Sequence, residues 1–176
     1  MRLFTFLLTL AAVCLMGCRR DTLGISDRFG GTTNVSIMAS PHTVTAWRTV
    51  SSFTSITNSE DLLKHFNKSG TGHLVPPDLI TQITNVLLNK HSYLNAADVC
   101  IHAPDLVVTF SEGAKGLDLF FCLDCRVIMV KTGEGEKGQP PLTADSDLTK
   151  TASAKLVHIM KQIFPEDDPI QSLRDN

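Results

Sequence analysis

The chain has 176 residues and a formal net charge of −2, with charged side chains at 19% and aromatic ones at 6%. So neutral a balance carries no electrostatic footprint for nucleic acid. Enough Leu, Ile, Val and Phe remain to bury a core, which excludes a disordered stalk, and the length fits one domain behind an N-terminal leader.

Met1-Arg2 is followed by an uncharged stretch from Leu3 to Met16 and then by Gly17-Cys18-Arg19-Arg20. A basic residue, a short apolar run and small residues form the layout of a secretory signal. The run is shorter than the roughly 20 residues that a membrane-spanning helix needs. Leu15-Met16-Gly17-Cys18 resembles the lipobox of bacterial lipoproteins, with an aliphatic residue three before a cysteine and a small residue just before it. Met16 departs from the pattern, which more often has a small or β-branched residue there.

The resemblance implies cleavage after Gly17, diacylglycerol on the Cys18 thiol and a further acyl chain, palmitate or similar, on the new amino terminus. Two or more acyl chains anchor stably where one is marginal. The implied location is the cell envelope, with the membrane as partner through acylated Cys18. Arg19, in place of the aspartate that retains lipoproteins in the inner membrane, favours the outer membrane in a host that has one. An ordinary secretory signal with a chance cysteine is the competing reading.

Residues 18–41 are rich in Gly, Ser and Thr and show no sustained period, which predicts a flexible tether between lipid and domain. The domain is then expected over 42–173. Val44 to Val50 alternates and is rich in β-formers, so it reads as a first strand, with Val44 and Ala46 on one face and Thr45, Trp47 and Thr49 on the other. Ser59 precedes Glu60 to Phe66, a short capped helix that Gly70-Thr71-Gly72 breaks. Pro76-Pro77 opens a helix carrying Ile80, Ile83 and Leu87 at helical spacing and ending near Lys90-His91.

The densest β signal follows. Leu106–Phe110, Leu117–Phe121 and Arg126–Val130 read as three strands joined by short turns, an antiparallel meander. Gly133–Asp147 is polar and aperiodic and reads as a loop. Leu148, Ala152, Leu156, Ile159 and Ile163 share one face of a final helix that stops at Pro165. The expected fold is α+β: a small antiparallel sheet of about four strands with two to three helices packed on it.

Five cysteines are present. Cys14 leaves with the signal and Cys18 takes lipid, so the mature domain keeps Cys100, Cys122 and Cys125. An odd number in an exported chain implies one disulfide and a thiol, an intermolecular bond, or a metal. The leading reading is a structural disulfide from Cys100 to Cys122 or Cys125, contributing about 2–4 kcal/mol. A second is a zinc or copper site of the three thiolates, with His102 as a fourth ligand; a single C-x-x-C is only half of a strong zinc pattern. A third is a redox pair at Cys122-Leu123-Asp124-Cys125. Strand signals on both sides of that motif remove the helix N-terminus that usually lowers such thiol pKa values. A tight two-residue hairpin would set the two cysteines opposite each other, although Leu-Asp is a poor primed turn.

Cys100, Pro104, Cys122, Cys125 and Ile163-Phe164-Pro165-Glu166-Asp167 together are similar to a pattern of small uncharacterised bacterial lipoproteins. That resemblance brings no activity with it. The remaining histidines fall at no ligand spacing, there is no nucleophile elbow and no phosphate loop, and Glu166-Asp167-Asp168 reads as a solvated acidic run. No catalytic set assembles and no cofactor is implied outside the metal reading. A non-enzymatic structural or interaction domain, with a possible protein partner in the envelope, is the favoured function. A thiol–disulfide or metal–thiolate protein using Cys100, Cys122 and Cys125 is the alternative.

Overall fold

The computed structural model describes residues 24–51, 66–94, 104–132 and 143–174. Their centre is one antiparallel sheet of six strands in the order β2-β1-β3-β4-β5-β6. The strands are β1 (Thr43–Ser51), β2 (Phe66–Leu74), β3 (Leu106–Glu112), β4 (Lys115–Cys122), β5 (Val127–Thr132) and β6 (Thr143–Asp147). The helices are α1 (24–28), α2 (Thr32–Ala39), α3 (Pro77–Leu87), α4 (Lys150–Ile163) and α5 (Asp168–Ser172), with a 3₁₀ turn at Lys90–Ser92. The α+β class and the β3-β4-β5 meander are as the sequence implies.

Alternation along the strands divides the sheet into two apolar faces. Val44, Ala46, Leu106, Val108, Phe110, Leu117, Leu119, Phe121, Ile128 and Val130 point to the helical side, and the buried residues of α3 and α4 close that core. Leu79, Ile83, Val86 and Leu87 come from α3, and Ala152, Leu156, Ile159 and Ile163 from α4. Pro77 stands at the start of α3, where its missing N–H costs nothing. The Thr149 side chain caps α4 by accepting from the Ala152 N–H at 3.3 Å. On the other face, Phe66, Val107, Phe120, Val127 and Met129 form a second buried cluster, with Trp47 and Cys125 packed against it. Strands buried on both faces explain why β3 and β4 read as continuous apolar runs.

Several expectations are corrected. Residues 24–40 are not tether. Ile25 of α1, Phe29 just after it, and Ile37 and Met38 of α2 are all buried in the helical-side core. The Phe29 ring meets Tyr93 edge-on at 6.2 Å between centroids, Arg28 lies 4.8 Å over the Tyr93 ring, and Thr84 Oγ1 donates to the Met38 carbonyl at 3.2 Å. Gly30 and Gly31, at φ 71 and φ 127, make the corner between two helices too short to display a helical period. The folded body therefore begins by residue 24, not at 42.

The sheet has six strands where about four were expected. Gly70-Thr71-Gly72 does not break a helix; it is a bulge inside β2. The register slips opposite Trp47, between the pairs Ala46↔His73 and Arg48↔Ser69. Gly72 is required there by close approach: a Cβ would come within 2.5 Å of the Trp47 ring. The proposed capped helix at 59–66 lies outside the described residues except for Phe66, which starts β2.

Thr143–Asp147, the end of the expected loop, is edge strand β6, paired to β5 from Val127↔Asp147 to Lys131↔Thr143. Finally, the acidic run is not simply solvated. Asp167 accepts from the Ile170 N–H at 3.0 Å, capping α5, and lies 3.2 Å from Arg48 Nε.

Candidate functional site

Strand β4 ends at Cys122, and Cys122 pairs across the ladder with Val127. Four residues, Leu123 to Arg126, make the reversal, so the connection is not the two-residue hairpin that would place the cysteines opposite each other. The Arg126 N–H closes a turn on the Leu123 carbonyl at 3.2 Å. Arg126 itself is left-handed at φ 60, the one non-glycine residue among those described with positive φ.

This turn is pinned from three sides. Leu123 is 3% exposed and anchors it in the helical-side core. The Leu123 N–H donates to Asp105 Oδ2 at 2.9 Å, while the Asp105 N–H donates to the Phe121 carbonyl at 2.7 Å. On the far side, the Leu148 N–H donates to the Arg126 carbonyl at 2.7 Å. Burial pushes the Asp105 carboxyl above its ordinary value. The Leu123 N–H opposes that rise, Asp124 adds to it and Arg48 counters it.

The two cysteines come together within this frame. Cys122 is buried and shares the parity of Phe120, so it lies at the end of the second apolar face; Cys125 is half-exposed and packs against the same cluster. They lie 2.7 Å apart, longer than the about 2.05 Å of a disulfide bond. Two thiols so placed can join in a disulfide or supply two ligands to a soft metal.

Beside the turn a surface cavity of about 760 Å³ is lined by Asp105, Asp124, Arg126, Lys150 and Arg174 among others. Neither cysteine lines it. Its mixture of three cations and two carboxylates gives no single-sign field for a charged ligand.

Cys18, Cys100 and His102 lie outside the described residues, so the structure brings together Cys122 and Cys125 from the sequence-derived set. Among the described residues no group of three or more His, Cys, Asp and Glu converges as a metal site, and no helix is long and apolar enough to cross a membrane. His158 and His91 are exposed, and the His73 ring lies tilted against Phe164 with 4.6 Å between ring centroids.

Sequence reasoning missed Asp105 and Arg126, which set the shape of the cysteine turn. Asp105 follows Pro104 at the mouth of β3, but its partner is 18 residues away in the chain, a pairing that no local signal carries. No protein-family model, no curated protein and no solved structure matches this chain.

Proposed function

We propose that this chain is a lipid-anchored protein of the cell envelope, made with a signal peptide over residues 1–17 and acylated at Cys18. Its folded body has a structural or interaction role at the membrane surface. The observation that carries the proposal is the lipobox Leu15-Met16-Gly17-Cys18 at the end of an uncharged run. Arg19 after the cysteine favours the outer membrane in a two-membrane host.

Burial of α1 in the core puts the start of the folded body no later than residue 24. A tether running to residue 41 would let the domain range far from the bilayer. With α1 packed into the core, no more than residues 19–23 can separate the acylated cysteine from the body, and five residues reach about 20 Å at most when fully extended. A domain on so short a leash works against the membrane surface, on a partner protein that lies there too.

Fractionation of cells making the wild-type chain and Cys18→Ser tests this. Wild type is expected in the detergent-extracted membrane fraction, and Cys18→Ser in the soluble envelope fraction or as uncleaved precursor. Equal membrane association and normal signal cleavage in Cys18→Ser would overturn the anchor.

A further inference from the structure

We infer that Cys122 and Cys125 form a thiol–disulfide exchange site closed on itself, in which half-exposed Cys125 meets the incoming sulfur and buried Cys122 resolves it. Cys100 then keeps its thiol. This replaces the disulfide from Cys100 that the sequence pattern favours. It rests on the envelope location proposed above only for the oxidising surroundings in which such a bond persists.

Geometry is the first support. Cys122 and Cys125 lie 2.7 Å apart on a chain reversal that keeps their backbones close. Rigidity is the second. Leu123 in the core, its N–H on Asp105, and the Arg126 carbonyl on the Leu148 N–H hold the turn whether or not a bond joins the sulfurs. Little ordering remains to be done when the bond closes, since Cys122 is buried and Cys125 packs against the second apolar cluster.

The third support is asymmetry. Cys122 is 4% exposed, whereas Cys125 is half-exposed, so an external disulfide or thiol reaches Cys125 first. Neither cysteine lines the neighbouring cavity. The site therefore suits exchange with another sulfur at the surface, not a reaction on an enclosed small molecule.

The Cys125 thiolate attacks one sulfur of an incoming disulfide, forming a mixed disulfide and releasing one thiolate. The Cys122 thiolate then attacks Cys125 Sγ, closing the Cys122–Cys125 bond and releasing the second thiolate. Two electrons pass from the protein to the incoming disulfide, and the two protons lost by the cysteines end on the two released thiolates. A partner dithiol reverses the sequence, again entering at Cys125.

The test uses the full mature chain, reduced and then exposed to oxidised glutathione, quenched in acid, alkylated with N-ethylmaleimide in denaturant and mapped by peptide mass spectrometry. The expected product carries N-ethylmaleimide on Cys100 and a bond between Cys122 and Cys125. In the reduced native chain, Cys125 is expected to alkylate about tenfold or more faster than Cys122, following exposure. A cross-link to Cys100, Cys122 and Cys125 both remaining alkylatable after oxidation, equal native rates at the two sites, or stoichiometric zinc or copper in the isolated protein would each overturn the inference. The N-terminal peptide in the same digest reports acylation of Cys18 separately, so failure of the anchor and failure of the exchange site are told apart.

Discussion

Replacing Phe29 with Ala separates a folded N-terminal segment from a tether. Phe29 is fully buried, in a core with Ile25, Ile37 and Met38, and its ring meets Tyr93 edge-on. Truncating a fully buried phenylalanine to alanine costs about 3–5 kcal/mol, because the lost transfer energy is joined by the cost of the cavity left behind. The Tyr93 contact is already part of that figure and is not added to it. Against a typical total of about 5–15 kcal/mol, such a loss is severe. For a domain of this size it lowers the melting temperature by roughly 6–20 °C. Urea unfolding of the chain from residue 19 onward, followed by circular dichroism, measures the change, with an unaltered m-value showing that the same surface unfolds. A change under about 0.5 kcal/mol, the range of ordinary surface substitutions, would refute the packing of α1 and restore the tether.

Gly72→Val drives a branched side chain into the Trp47 ring and should cost about 1–3 kcal/mol, read in the same urea assay with Trp47 fluorescence as a local probe. Tyr93→Phe removes the hydroxyl that donates to the buried Leu87 carbonyl at 2.6 Å and should cost about 0.5–1.5 kcal/mol. Burial holds the Asp105 carboxyl above its ordinary value, so the native state binds this proton more tightly than the unfolded chain does. Its contribution to stability therefore falls as pH rises from the ordinary aspartate value of about 3.9 through the raised native one. Asp105→Asn keeps an oxygen to accept from the Leu123 N–H and should flatten that part of the stability–pH curve, as urea midpoints across mildly acidic to neutral pH would show. An unchanged slope in the variant would remove Asp105 as the source.

What the sequence made legible was structure with a strong local or periodic signature. The β3-β4-β5 meander was readable because both of its faces are buried, leaving long apolar runs between short turns. Helices α3 and α4 were readable from their apolar period and from the prolines that open one and stop the other. Strands β2 and β6 were not, because edge strands here are polar and are held by ladder hydrogen bonds to a neighbour whose position local sequence does not give. The glycines of β2 looked like a breaker, although a glycine inside a strand also signals a bulge or a close approach, and both occur at Trp47. Helices α1 and α2 were hidden by their shortness and by the glycine corner between them. The cysteine motif was visible as a motif. That its two sulfurs meet depends on a four-residue turn fixed by Asp105 and Leu148, contacts made far along the chain.

The membrane anchor is tested most directly by the mass of the N-terminal peptide from protein extracted from the envelope. The expected peptide begins at Cys18 and carries a diacylglycerol and an amide-linked acyl chain. A peptide that begins at Met1, or one that contains Cys18 without lipid, would contradict the proposal.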